Sequence, residues 1–326
     1  MNIVFMGTPQ FAVPTLRQLA DSEFTVRGVV CQPDRPQGRG QKIQPGPVKT
    51  LAMAMGIPVV QPVRMKDPDF LETLQRWTPE VIVVAAFGRI LPSVVLQLPP
   101  QGCLNVHGSL LPRYRGAGPI QWAVINGDHE TGITIMKMDE GMDTGAILSQ
   151  EVVAIGSQET SGELAIRMAE VGGTLLVRTL RAWVAGRVSP QPQNDQEATM
   201  APLLKKEDGL LDWAQPAAEL ACRVRGLSPW PGAYTFFEGS RMAIWRVEVS
   251  DLGSGVEAAG EAEAMSPGMI TRVTKQGLWV KTGQGELSIL ELQPANKKRL
   301  DVAHFLAGHH LEAGMKLSSG PGRRSA

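Results

Sequence analysis

The run EVIVVAAFG (80–88) carries no charged side chain after Glu80, so a strand made from it has to be covered on both faces. Similar short apolar runs flank it: IVFMG (3–7), VRGVVCQ (26–32), IPVVQP (57–62) and CLNVH (103–107). Between them lie stretches with helical spacing. These are PTLRQLADS (14–22), where Pro14 suits a first turn, VKTLAMAMG (48–56), stopped by Gly56, and PDFLETLQRW (68–77). This alternation predicts an α/β fold: a Rossmann-like parallel sheet with helices on both faces. Ligands of such sheets sit beyond the carboxyl ends of the strands. A dinucleotide site would need G-x-G-x-x-G after the first strand. GTPQFAVP stands there instead, and Gly38-Arg39-Gly40 follows no strand directly, so NAD binding is not expected.

The pattern changes past the middle of the chain. TSGELAIRMAEVGGTLLVRTLRAWVAG (160–186) reads as a helix, with a kink expected at Gly172-Gly173. VSPQPQNDQEATMAPLLKKEDG (188–209) is polar and poorly periodic. After one helix-like stretch (214–227), closely spaced short strands suggest a small barrel. The expected organisation is a catalytic domain at 1–189, a linker at 190–209 and an OB-like β-barrel domain at 210–326. GSGVEAAGEAEAM (253–265) is expected to be a mobile loop, and the tail SSGPGRRSA disordered.

Composition excludes several classes. Lysine plus arginine equal aspartate plus glutamate at 32 each, so a polyanion would have to be met by local patches. The three cysteines, Cys31, Cys103 and Cys222, lie far apart and support neither a disulfide framework nor a zinc site. The five histidines show no metal spacing. No apolar run is long enough for a bilayer, and NIVFMG follows Met1 without a charged leader, so a cytoplasmic location is expected.

The chemistry concentrates after CLNVH. Alternation along a strand turns Asn105 and His107 to one side and Val106 to the other. An asparagine amide can donate to an oxyanion, and a histidine can move a proton or stabilise charge. An aspartate from the acidic loop MDEGMDTG (138–145) could orient that histidine. Together they suffice for direct acyl transfer between two bound substrates, without a covalent enzyme intermediate. Each is weak alone: a strand-end histidine is more often structural, Asn105 could cap a loop, and Asp143 could serve its turn. A nucleophile elbow is absent. Trp230, in SPWPGA, reads as a packing anchor rather than a base-stacking platform.

N-x-H-G-S-L-L-P-x-Y-R-G (105–116), followed by D-x-G-x-D-T-G (139–145), resembles the signature of the folate-dependent formyltransferases. The resemblance implies that Asn105, His107 and Asp143 are catalytic, that 10-formyltetrahydrofolate is the formyl-donating co-substrate, and that no metal takes part. It implies a folate site lined by Ser109, Leu110, Leu111 and Pro112, and by the backbone of Phe87, Gly88, Arg89, Ile90 and Leu91. Arg89 departs from the pattern, where relatives often carry an apolar residue. FMGTPQFAVPTL (5–16), PDRPQGRGQKIQPGPVK (33–49), KKEDGLLDW (205–213), RGLSPWPGAYT (225–235) and ELQPANKKRLDVAHFLAG (291–308) are similar to the branch whose acceptor is initiator methionyl-tRNA. That implies a translation-initiation enzyme, expected as a monomer, binding tRNA through Arg35, Arg39, Lys42 and Lys49 in the basic insertion. Lys205, Lys206, Lys297, Lys298 and Arg299 would add contacts from the linker and the second domain. Without the resemblance, a solvated loop and a solvated turn are the simpler readings of these charges. Transfer to an amino sugar nucleotide or to glycinamide ribonucleotide, hydrolysis of the formyl donor, and a catalytically silent RNA-binding role are the alternatives.

Overall fold

A computed structural model describes residues 1–37, 42–250 and 265–320. Arg39, all of the loop expected at 253–265 except Met265, and the tail beyond residue 320 lie outside the described residues. The chain divides into two compact units. One comprises Met1–Ile120, Glu130–Ile155 and Glu163–Pro202. The other comprises Gln121–His129, Gly156–Gly162 and the chain from Leu203 onward.

The first unit is built on β1 (Asn2–Gly7), whose residues after Ile3 are all buried. Gln10–Ala12 forms a single 3-10 turn and leads into α1 (Val13–Ala20), with Pro14 in its first turn, as expected. There follow β2 (Thr25–Val30), the short pair β3 (Pro36–Gln37) and β4 (Lys42–Ile43), α2 (Pro47–Ala54) and β5 (Val59–Val60). α3 (Pro68–Arg76) starts where the Asp67 side chain accepts from the Asp69 N–H, and it buries Phe70 and Leu74. β6 (Val81–Ala85) is the fully apolar run, and all of it is buried. α4 (Ser93–Leu96) and β7 (Cys103–His107) follow.

Beyond β7 come α5 (Pro119–Ile125), which belongs to the second unit from Gln121 on, then β8 (Glu130–Lys137), β9 (Ile147–Ala154) and the long α6 (Ser161–Val184), which belongs to the first unit from Glu163 on. The sheet order is β5-β2-β1-β6-β7-β8-β9. β1 pairs in parallel with both β2 and β6, and the chain crosses from one flank to the other between them, so the strand order reverses there. The expected parallel sheet holds through β7; β8 and β9 then run antiparallel. From Ser149 on, less exposed residues of β9 alternate with the exposed Gln150, Val152 and Ala154, as in an edge strand with one open face.

α6 shows no break at Gly172-Gly173. A Cβ on Gly172 would stand 2.9 Å from Val106 Cγ1, and one on Gly173 would stand 2.9 Å from the Gln18 side chain. The glycines therefore allow close approach of the helix to its neighbours and produce no kink. Val106 thus faces α6, which leaves Asn105 and His107 on the opposite face of the sheet.

The second unit contains α7 (Ala217–Gly226), β10 (Ala233–Phe237), β11 (Ser240–Ser250), β12 (Ile270–Thr274), β13 (Gly277–Lys281), β14 (Glu286–Pro294), β15 (Leu300–Asp301) and α8 (Val302–Leu306). Its antiparallel sheet is ordered β10-β11-β14-β13-β12, with β15 on β14. Among the described residues this is an open path of pairings, so the expected barrel is seen as an antiparallel sheet. Leu220 and Val224 of α7 join Ile244, Leu278, Ile289 and Leu292 in one core. Trp213 anchors this core and donates to Thr235 Oγ1 at 3.0 Å. Trp230, expected as the anchor, is 49% exposed. No helix among the described residues is long and apolar enough to cross a membrane.

Gly172→Val tests the close approach between α6 and the strand behind the site. We expect a loss of about 1–3 kcal/mol, since over-filling a packed interface costs that much, read as a lower urea midpoint. An unchanged midpoint would contradict the packing.

Candidate active site

Asn105 and His107 share the face of β7 that is turned away from α6, and both are buried. Among the described residues no side-chain hydrogen bond engages the Asn105 amide, although only 9% of the residue is exposed. The amide is not one of the fully buried unpaired groups: it reaches solvent at the strand end, where it is free to hydrogen-bond. His107 is held on one edge: its Nε2 lies 3.0 Å from the Tyr114 carbonyl oxygen. A carbonyl only accepts, so Nε2 carries the proton there. The other nitrogen, Nδ1, faces Asp143 Oδ2 at 3.6 Å.

That second contact requires the chain to double back. His107 pairs with Thr134, and the loop after β8 begins at Met138, beyond the pairing of Leu104 with Lys137. Three strand residues, about 10 Å, separate the start of this loop from the imidazole. The loop recovers that distance with Asp143 in the left-handed region at φ 55°, with its Oδ2 accepting from the Gly116 N–H at 2.8 Å. At the loop's neck, Asp139 Oδ1 accepts from the Gly141 N–H and the Thr144 hydroxyl.

The loop after β7 is fixed by a residue that the sequence reading passed over. Thr134 of β8 stands beside His107 and is fully buried. Its hydroxyl donates to the Ser109 carbonyl at 2.6 Å and accepts from the Leu111 N–H at 3.0 Å. The Gln150 amide bonds both this hydroxyl and the Leu111 carbonyl. The buried run of β8 holds two threonines, Thr131 and Thr134, and their spacing does not single out Thr134. Ser109 donates to the Arg113 carbonyl, Leu111 is buried, Leu110 and Pro112 are half-buried, and the Leu111–Pro112 peptide is cis.

The segment expected as a linker also reaches this site. Thr199 Oγ1 accepts from the Tyr114 N–H at 2.8 Å, and the Thr199 carbonyl accepts from the Arg115 N–H. The buried Arg115 guanidinium donates to Gln193 and Asp195. Residues up to Pro202 belong to the first unit.

β6 and β7 are neighbours, with Ala85 level with Val106, so the turn after β6 leaves the sheet beside the loop that follows β7. In that turn Phe87 and Leu91 point into the core, while Gly88, at φ 68°, and Ile90 are exposed. The Phe87 carbonyl accepts from Gln32 Nε2 at 2.6 Å. Arg89 donates to the Pro62 and Val63 carbonyls and ties the turn to the end of β5. Cys103 offers no thiolate here, because burial pushes its thiol up to about 12. Burial does the same to Cys31. Among the described residues no group of side chains could hold a metal.

The expected tRNA contacts fall into distinct environments. Arg35 is exposed, as are Lys205, Lys206, Lys297 and Lys298. Lys42 pairs through its backbone with Gln37. Lys49 is half-buried, bound to Asp34 and Gln61. Hydrogen bonds from Lys49 and Gln61 hold the Asp34 carboxyl below its usual range. Arg299 is ion-paired with Glu291.

The sequence matches the formyl transferase family over residues 1–180 and the formyl transferase C-terminal domain over 203–310. The methionyl-tRNA formyltransferase of Trichlorobacter lovleyi is 48% identical over 97% of this chain and 96% of its own length. That of Pelobacter propionicus is 49% identical, again over 97% and 96%. Among solved structures, an N-formyltransferase from Helicobacter canadensis in complex with folinic acid and dTDP-3-aminofucose superposes with a TM-score of 0.65 at 16% identity, over 90% of this chain and 98% of its own. At that identity the likeness speaks for the fold.

Thr134→Val keeps the side chain's shape and removes its hydroxyl. We expect a loss of about 1–3 kcal/mol in urea unfolding, the cost of leaving a buried N–H such as that of Leu111 unpaired. An unchanged midpoint would show that this hydroxyl does not hold the loop.

Proposed function

The chain belongs to the methionyl-tRNA formyltransferases, and on that premise we propose how its own residues move the formyl group. Its activity is formyl transfer to methionyl-tRNA, in the service of translation initiation. The family uses formyl-tetrahydrofolate; in this reading the donor is 10-formyltetrahydrofolate and the acceptor is the initiator tRNA.

The methionyl amine attacks the formyl carbon directly, and the carbonyl electron pair moves to oxygen. The tetrahedral species then collapses by expelling N10 of the folate. The attacking nitrogen has to lose a proton and N10 has to gain one. The Asn105 amide donates to the developing oxyanion, and one such donor is worth about 3–4 kcal/mol in the transition state. With the Nε2–H held by the Tyr114 carbonyl, His107 donates to the formyl oxygen from Nδ1 only in its protonated form, which carries an N–H on both ring nitrogens; the Asp143 carboxylate stands 3.6 Å from that nitrogen. The Asp143 carboxylate takes the proton from the amine and returns it at N10.

The observation that carries this reading is the meeting of His107, at the end of β7, and Asp143, from the loop after β8, on the strand face that holds the unengaged Asn105 amide. The turn after β6 suits the donors and acceptors of a pterin edge: Gly88 exposes backbone, while Phe87 and Leu91 anchor it. Ser109, Leu110, Leu111 and Pro112 are the neighbouring wall. Arg35, Arg39, Lys42, Lys205, Lys206, Lys297 and Lys298 supply the cations for tRNA phosphates in this reading. Lys49, already bound to Asp34, steadies the base of the basic insertion.

Incubating the purified chain with 10-formyltetrahydrofolate and methionyl-tRNA tests the proposal. Formyl-methionyl-tRNA is the expected product. Formate release without it would point to a hydrolase, and formylation of an amino sugar nucleotide instead would point to the other branch. For His107→Ala we expect kcat to fall about 10²–10⁴-fold, with folate binding by equilibrium dialysis retained. Near-normal turnover would remove His107 from the mechanism.

A further inference from the structure

Asp143 is held from its backbone as well as from its carboxylate. Gln193 Nε2 donates to the Asp143 carbonyl at 2.8 Å and to the Gly145 carbonyl at 2.7 Å. Gln193 Oε1 accepts from Arg115 Nε at 3.0 Å and from its NH2 nitrogen at 2.8 Å. The amide can stand only one way round, because carbonyls only accept and a guanidinium only donates. Arg115 is buried and belongs to the loop whose next residue, Gly116, donates to the Asp143 carboxylate. One side chain therefore joins the loop that carries Asp143 to the loop whose Tyr114 carbonyl holds His107.

The β8–β9 loop has no strand partner at this point and must stay folded back over about 10 Å, with Asp143 at φ 55°. Left-handed backbone is disfavoured for a residue with a side chain, by roughly 1–2 kcal/mol. Something has to hold it, and the Gln193 donors grip the carbonyls on either side of Thr144. We propose that Gln193, from the segment leading out of the formyl-transfer unit, is a positioning residue that aims the Asp143 carboxylate at His107. This rests on the reading above in which Asp143 handles the proton. It assigns Gln193 no contact with substrate.

The test uses the full chain. Turnover with 10-formyltetrahydrofolate and methionyl-tRNA is measured for wild type, Gln193→Glu, Asp143→Asn and the double variant, alongside thermal unfolding. Gln193→Glu keeps the acceptor for Arg115 and removes the donors to the Asp143 loop. We expect a folded chain with a somewhat lower unfolding midpoint, unchanged KM for both substrates, and a kcat lower by about 10- to 100-fold, the scale of a misplaced reacting group. In the Asp143→Asn background the same change should have no further effect, because Gln193 acts through that carboxylate. Should the added charge unfold the chain, Gln193→Met, which lacks donors and is similar in length, takes its place in the same comparison. Wild-type kcat in a folded Gln193 variant overturns the inference, and so does an equal loss in both backgrounds. Wild-type turnover of Asp143→Asn alone overturns the mechanism beneath it, a failure that is separate and visible.

Discussion

Bringing a carboxylate to an imidazole across a sheet depends on a loop that travels against its own strand. β8 carries the chain away from His107, and only the reversal between Met138 and Ala146 brings Asp143 back to 3.6 Å. The local geometry follows from that constraint: the left-handed Asp143, the Asp139 ties at the neck, and the Gly116 N–H that meets the carboxylate. The sheet supplies the fixed reference. β1, β6 and β7 are buried along nearly their whole length, so the end of β7 is a rigid platform and the loops are adjusted to it.

The two polar layers over this platform have different tasks. Thr134 and Gln150 reach up from β8 and β9 and shape the loop from Ser109 to Leu111. Gln193 and Thr199 reach in from the chain leaving the unit and bind the Tyr114–Gly116 stretch. His107 and Asp143 lie between these layers, and the Asn105 amide makes no side-chain hydrogen bond among the described residues.

Much of this was legible in the sequence where periodicity and side-chain chemistry agree. The run 80–88 named a doubly covered strand, Pro14 marked a helix start, and Asn105 and His107 share a face because strands alternate. The antiparallel turn at β8 was not legible, since ETGITIMK is equally apolar in either direction. Gly172-Gly173 looked like a hinge because a glycine pair weakens a helix. Only the position of Val106 shows that the missing side chains make room. The stretch 190–202 looked like a linker because it lacks period, yet its polar side chains are the bonds that order the site. Hydrogen bonds to distant backbone leave no spacing signature.

The bare surface of α6 at Gly172 has one more consequence. With the helix pressed against Val106, the strand that carries Asn105 and His107 has a hard stop behind it and no slack to recoil, so the bonded loops in front of it are seated on an anvil.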